Sequence, residues 1–487
     1  MKRFLSVFLV ICMAAGLLCA GMIPASAEGA DISGDFTDAN FLAAVYEVLG
    51  KNPGDPITAE ECAKKTAFSA SKKGIKSLAG LEHFVNLETL DCRYNEITSL
   101  DLTNNPKLKR LECAWNPLAQ LNISNNPLLT FLSCPCNELT SLDVSQNPLL
   151  KHLNCPHNPL GQLNVSNNPL LTSFDCYSTQ LTELDISQNP LLQSLDCSQN
   201  PLGQLNVSNN PLLTTLVCRS AQLTSLNVSQ NPLLERLDCY NNPIDQINVS
   251  NNPLLTGLFC DSMQLTSLDV SQNPLLQNLN CGDNPLNQLN VSNNPLLTYL
   301  GCYRMQLISL DVTQNPRLGY LWCSDNPLGQ LNVSNNPLLT DLLCYSMQLT
   351  SLDVTQNPLL ESLYCSYNSL DQLNVSNNPL LTALGCESAQ LTSLDVTQNQ
   401  QLEILRCNSN QLTTLDLTNN TKLKVLDVRY NRFASETDVL GLDALDLEKF
   451  EFQPQNIPTP GTNTKWFSAW WHYLLLFLSL FFLWKLF

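Results

Sequence analysis

Sixteen cysteines recur every 21 residues from Cys92 to Cys407 without a slip, and Val428 takes the next place. No other feature restricts the fold as tightly. Twenty-one residues are too few to bury a core, so each unit must cover its apolar side chains with the units on either side. The unit reads Leu-x-Cys-x-x-Asn-x-Leu-x-x-Leu-Asp/Asn-Val-Ser/Thr-x-Asn-Pro-x-Leu-x-x. Leu111 and Cys113 are two apart and share one face of an extended segment, while residues 110, 112 and 114 take the other. The second flank, Leu121-Asn122-Ile123-Ser124, alternates in the same way, and Pro127 and its equivalents exclude a helix there. The expected body is a narrow, predominantly β solenoid of about 17 coils, roughly 80 Å long at the strand spacing of a sheet.

The run Leu108-x-x-Leu111-x-Cys113-x-x-Asn116-x-Leu118 resembles the leucine-rich repeat, with Cys in the slot of the third Leu. The resemblance covers residues 68–433 and implies a rod or horseshoe. It also implies that the Asn three residues after Cys bonds backbone groups of the neighbouring turn. That Asn alternates: Asn200, Asn242, Asn284 and Asn326 are present, whereas Thr179, Ala221, Met263, Met305, Met347 and Ala389 stand between or beside them. The expectation is that the substitutes fill the niche apolarly and leave those turns dependent on packing or water.

Stacked thiols invite a reading as disulfides or metal ligands. Parallel in-register strands hold neighbouring Cβ atoms about 4.8 Å apart with parallel vectors, whereas disulfides want about 3.5–4.5 Å and converging geometry. Zinc wants four tetrahedral ligands, which a straight column lacks. The column therefore reads as core, and neither metal nor cofactor is expected. Cys136, just past Cys134-Pro135, is expected nearer the surface, and Cys62 falls in the N-terminal cap.

A solenoid needs covers at its ends. Residues 28–67 read as a helical N-terminal cap: Phe41, Val45 and Leu49 share a helix face, Gly50 and Pro53 end it, and Thr58-Ala59-Glu60-Glu61 is a capping box. Residues 434–454, with Leu440, Leu442, Leu445, Leu447, Phe450 and Phe452, read as the C-terminal cap. Residues 1–27 read as a secretory signal peptide, with Lys2 and Arg3 before an apolar stretch and Ala25-Ser26-Ala27 at the cleavage site. Residues 455–465 read as a spacer, and 466–487 as a single C-terminal transmembrane helix flanked by Trp466, Trp470, Trp471 and Trp484. Ile457-Pro458-Thr459-Pro460-Gly461 is similar to the sorting signal of wall-anchored proteins. Pro460 replaces the Thr that sortase attacks, so membrane anchoring is expected before wall attachment. The whole layout is similar to internalin-like bacterial surface proteins. It implies secretion through the Sec pathway and anchoring at the bacterial cell surface.

Composition closes other doors. The formal net charge is −18, the wrong sign for a nucleic-acid partner. Four His residues, no Ser/His/Asp arrangement and no phosphate loop argue against an enzyme; His152 points away from the core that Cys155 enters.

The positions that vary between repeats are the outward strand positions, where specificity is free to be written. Tyr299, Tyr303, Tyr320, Trp322, Leu343, Tyr345 and Tyr364 form one aromatic stretch on the concave face, with Phe259 two coils earlier. Gly282, Gly301 and Gly385 are expected to leave low spots, with Asp261, Asp283, Asp325, Asp341 and Arg304 around them. Contiguous exposed rings mark interaction sites. The expected function is adhesin-like recognition of a protein or carbohydrate ligand; a structural spacer or stalk of the envelope is the alternative. Arg93, Arg110, Glu112, Asp175, Asp196, Arg219, Arg236 and Asp238 form a mixed-charge face expected to be simply solvated.

Overall fold

The computed structural model describes residues 29–456. Nineteen short parallel strands form one sheet. Consecutive strands pair with a shift of 21 residues through the middle of the chain, as in Tyr299↔Tyr320, Leu300↔Leu321 and Gly301↔Trp322. The sequence period is therefore the sheet register itself. Strands Ala67–Ser69 and Lys449–Glu451 extend the expected 17 coils by one at each end. The second flank is extended too, with isolated bridges Asp353↔Asn374↔Asp395 and the pair Leu415–Asp416 with Val439–Leu440.

One component of the expected fold class is corrected. Among the described residues no helix is long and apolar enough to cross a membrane. The segment 466–487, expected to supply that helix, lies outside the described residues, as does the signal-peptide reading of 1–27. Over the described residues the architecture is a β solenoid with few helices, and nothing in it supports a membrane partner reached through a C-terminal helix.

The spine is apolar throughout. Each of the sixteen periodic cysteines is buried, together with the Leu, Val and Ile positions of its coil. Burial pushes these thiols well above their ordinary value, for example at Cys92, Cys218 and Cys344. They pack as small hydrophobes, and some also reach a neighbouring carbonyl: Cys176 Sγ lies 3.5 Å from Asp196 O.

Two asparagine ladders serve the buried backbone. The first is the alternating one. Asn200 Nδ2 donates to Cys176 O at 2.8 Å and Cys197 O at 3.0 Å. Its Oδ1 accepts from the N–H groups of Thr179 and Leu181 at 3.0 and 2.9 Å. Asn242 does the same for Ala221 and Leu223. Each Asn thus serves its own coil and the coil before it, including one that lacks an Asn. Where the following coil has none, the turn closes locally: Leu202 N–H donates to Asn200 O and Ile244 N–H to Asn242 O, both at 2.8 Å. Ala221, Met305 and Met347 do fill the niche apolarly, but the expected reliance on water is replaced by these bonds. The second ladder is unbroken. The Asn thirteen residues after each periodic Cys, from Asn105 to Asn420 in steps of 21, is fully buried. Asn252 Nδ2, for instance, donates to Val228 O and Asn231 O at 3.0 and 2.9 Å.

The 42-residue rhythm has an electrostatic counterpart on the second flank. Residues 101, 143, 185, 269, 311, 353 and 395 are Asp, and most of the positions between them are Asn. Either side chain accepts the N–H two residues on, as Asp269 does from Ser271 at 2.9 Å and Asn290 from Ser292 at 3.0 Å. Both residue types make the turn, but only Asp is charged. Alternation therefore keeps carboxylates two coils apart, where like charges in adjacent strands would repel. At the adjacent pair Asp395 and Asp416, hydrogen bonds from Thr397 hold the Asp395 carboxyl below its ordinary value, and the charge of Asp416 opposes them.

At the N-terminal end, helix α1 (Ala39–Leu49) is capped by Asp38, whose side chain accepts from Asn40 and Phe41, and ends at Gly50 in the left-handed region. Helix α2 (Ala59–Ala63) opens on the expected box between Thr58 and Glu61. Phe36, Phe41, Phe68 and Phe84 pack edge to face over the first coils. Cys62 is buried here, its thiol pushed up to about 12 by desolvation first and Glu61 second.

Candidate concave binding face

Three-residue strands of type out–in–out set the geometry of this face. In Tyr320-Leu321-Trp322 the central Leu is buried, Tyr320 is 41% exposed and Trp322 is half-buried. The 21-residue register places Tyr299 beside Tyr320, Trp322 between Gly301 and Leu343, and Tyr364 between Leu343 and Gly385. Tyr303 and Tyr345 lie just beyond their strands. Tyr303 stacks on Trp322 with ring centroids 4.1 Å apart and planes at 25°. Among the described residues, no other pair of the seven expected site residues makes ring–ring contact. Tyr299, Tyr303, Leu343, Tyr345 and Tyr364 are half-buried.

The glycines are not low spots. A Cβ on Gly282 would fall 2.6 Å from the Tyr303 ring, and one on Gly385 would fall 2.6 Å from the Tyr364 ring. On Gly301 it would meet Asn280 Oδ1 at 2.5 Å and the Tyr299 hydroxyl at 3.1 Å. Each glycine is a niche that a neighbouring coil's side chain fills, so the rings lie down against the sheet.

Carboxylates surround the rings. Asp261 is pushed up to about 7, first by burial and then by the like charges of Asp238 and Asp283; Asn280 Nδ2 donates to it at 3.0 Å. Burial also raises Asp341, which accepts from Thr340 Oγ1 at 2.8 Å. Glu387, bonded by the Ser366 hydroxyl, is raised by burial as well. Arg304 stands between Asp283 and Asp325 at 3.8 Å from each.

The mixed-charge face is organised rather than merely solvated. Arg93 bridges Asp91 and Glu112 at 2.9 and 3.0 Å, and Arg110 reaches Glu112 at 2.7 Å. Arg219 and Arg236 share the buried Asp238 at 2.6 and 3.2 Å. Three of these arginines also cover rings of the next coil: Arg110 over Phe131 at 3.5 Å, Arg236 over Phe259 at 4.7 Å, and Arg219 over Tyr240 at 5.4 Å. Asp175 is raised to about 6 by burial, with Asp196 adding to it.

Sequence reasoning missed a rim beside this face. The residue two after each periodic Cys, from Tyr94 to Tyr430, holds a positive φ of about 50° in all seventeen coils. Such a conformation is uncommon for residues other than glycine. It carries Tyr94 and Trp115, which stack 5.9 Å apart at 46% and 53% exposure, with Lys72 over Tyr94 at 5.0 Å. Cys136 and the exposed His157 continue the row, and His157 meets Tyr177 edge-on at 4.9 Å. The signal was available, because the Cys period marks these positions as readily as the strand positions.

No protein-family model matches the chain. Seventy residues, 14% of the chain, are 36% identical to Internalin J of Listeria monocytogenes; the match spans only 8% of that relative's length. The solved functional domain of InlJ from Listeria monocytogenes, described as including a cysteine ladder, aligns with a TM-score of 0.63 at 32% identity, covering 82% of both chains. A leucine-rich-repeat protein of Leptospira interrogans (TM-score 0.57, 24% identity, 80% and 97% coverage) and YopM of Yersinia enterocolitica (0.62, 23%, 85% and 94%) share the fold. In the ladder, the repeat length and the extent of the match alike, this chain belongs to the internalin-like leucine-rich-repeat proteins.

Proposed function

We propose that the chain is a recognition protein displayed at the cell surface, which binds a protein or glycan ligand through Tyr299, Tyr303, Tyr320, Trp322, Leu343, Tyr345 and Tyr364. One observation carries the reading. Rings from successive coils lie on one open sheet face, with Trp322 stacked on Tyr303 and Tyr320 exposed beside them. Tyr and Trp supply large contact area at low entropic cost and dominate interface hot spots. The leucine-rich-repeat fold and its internalin likeness support an interaction role, and the internalin likeness also supports display outside the cell. The division into caps at 28–67 and 434–454 around repeats at 68–433 belongs to the same reading.

The test is an array of host, mucin and bacterial proteins and glycans probed with residues 28–453. If the reading is right, Tyr320→Ala abolishes a hit without moving Tm, and Trp322→Ala abolishes it with only the small drop in Tm that loss of the Tyr303 stack brings. Normal binding by both variants rejects the patch. Silence across the array favours the alternative, an envelope spacer, which the cross-coil packing of rings into glycine niches would equally serve.

A further inference from the structure

The first half of the coils differs from the second. Four rings there receive a cation from the preceding coil: Lys72 over Tyr94, Arg110 over Phe131, Arg219 over Tyr240 and Arg236 over Phe259. A cation over a ring face is attracted by the ring quadrupole, more strongly where water is thinned out. Beyond Phe259 the pairing stops. Among the described residues, no guanidinium or ammonium lies over Tyr299, Tyr303, Tyr320, Trp322 or Tyr345. Acids outnumber bases along these coils, counted over all faces. Residues 152–405 hold 19 Asp and Glu against four bases, Arg219, Arg236, Arg304 and Arg317, and Arg406 follows, its charge acting on Tyr364 and Glu387. Two of those four are committed to Asp238. Arg304 is held loosely between Asp283 and Asp325.

We infer that the partner supplies cations to these rings: the face from Tyr299 to Tyr345 takes an extended polypeptide segment bearing arginine or lysine side chains, laid along the coils beside the Tyr303–Trp322 stack and the Asp283–Arg304–Asp325 group. This rests on the recognition reading above and names its ligand class. Arginine fits better than lysine, because a planar guanidinium both stacks on a ring and pairs bidentately with a carboxylate. A cationic segment also meets the acidic stretch at long range, which raises the association rate and makes it salt-dependent. A neutral glycan would use the rings but gain nothing from the excess of acids along these coils.

The probe is a ten-residue peptide alternating glycine and arginine, with a control in which every arginine is replaced by citrulline, its uncharged isostere. Both are titrated into the full chain by calorimetry at 150 mM salt. The arginine peptide binds, and the citrulline peptide binds at least tenfold more weakly. Trp322→Leu and Tyr303→Leu, which leave net charge unchanged, each weaken binding at least fivefold. Tyr320→Ala, at an exposed ring, does so without any risk to folding. The double variant Asp353→Asn with Asp395→Asn removes two charges from the far flank, keeps its turn acceptors and binds as the parent does. Equal binding of the two peptides overturns the inference, as does a loss that follows net charge wherever the charge is removed. A neutral or anionic array ligand that depends on Trp322 overturns the cationic assignment while the recognition reading stands. If no ligand depends on the patch, both fall.

Discussion

Gly282→Ala isolates what holds the aromatic face down. The new methyl would lie 2.6–2.7 Å from three atoms of the Tyr303 ring. Carbon atoms in contact need about 3.5–4.0 Å, so the ring must lift by roughly 1 Å. The backbone offers no objection, because Gly282 is not among the positions with positive φ. Overpacking of this kind costs about 1–3 kcal/mol, and losing the Tyr303–Trp322 stack removes a further ~0.5–1.5 kcal/mol. Gly319→Ala is the matched control. Its Cβ meets only Leu338 O and Thr298 O at 3.7 Å, an ordinary contact, and its φ is likewise unremarkable. That variant should be neutral, or more stable by about 0.4–1 kcal/mol through the unfolded chain. Urea midpoints and the near-ultraviolet circular dichroism of Trp322 read the difference. Gly282→Ala lowers the midpoint and changes the Trp signal, whereas Gly319→Ala does neither. Equal stability of the two variants with an unchanged Trp signal would refute the niche argument and the ring geometry built on it.

Three further outcomes follow from the same coordinates. Asn242→Ala orphans the buried N–H groups of Ala221 and Leu223, at about 1–3 kcal/mol each. Asn252→Ala takes one donor from the carbonyls of Val228 and Asn231, which keep backbone bonds from Asn231 and Leu234 N–H, so the first variant should show the larger midpoint shift and faster amide exchange at residues 221 and 223. Of the eighteen thiols among the described residues, Cys136 alone is not buried; mass-mapped labelling of the native protein should mark it and spare the other seventeen until unfolding, and early labelling of the column would contradict the spine. Asp261 titrates at about 7 in the folded chain against 3.8 ordinarily, raised by burial and by Asp238 and Asp283, lowered by Arg219, with Asn280 donating to it and Tyr299 and Tyr303 beside it. Between those values the native state holds a proton the unfolded chain has lost, so stability falls as pH rises from about 4 to 7; Tm should drop between pH 5 and pH 8, and Asp261→Asn should flatten the drop, an unchanged slope being the contrary result.

What was legible in the sequence is what depends on period alone. The 21-residue step of the cysteines is the strand register, so the burial of Leu111 and Cys113, the extended second flank and the Thr58–Glu61 box could all be read without coordinates. The step also makes residues i and i+21 neighbours. Gly282 beside Tyr303 and Gly385 beside Tyr364 were therefore readable as filled niches, yet by themselves glycines suggested hollows. What could not be read was backbone conformation. The left-handed residue after each strand is Ser, Gln, Asn, Tyr, Trp, Asp, Arg, Cys or His, with no glycine to announce it, so the sequence alone does not bring out the exposed Tyr94–Trp115 pair. Two different turn closures hide behind one Asn-to-Met exchange, because the bonding partner comes from the following coil.

The division of labour within a coil explains why a repetitive chain can be specific at all. Cysteine, leucine and the two asparagine ladders use side chains small or flat enough to stack at strand spacing, and the ladders satisfy buried backbone groups such as Leu223 N–H and Val228 O. Display positions are then constrained only by their neighbours one coil away. Two solutions to that constraint occupy opposite halves of the same face: rings covered by the protein's own arginines up to Phe259, and rings pressed onto glycines with acids around them beyond it. The first satisfies its aromatic faces internally. The second sets more acids than bases around its rings over consecutive coils, and a surface in that state gains most from a partner of opposite sign. If the two halves were functionally equivalent, moving an arginine into the second, as in Gly301→Arg beside Trp322, would change nothing but stability. The asymmetry argues instead that this substitution covers the rings from within and competes with any cationic segment for the same place.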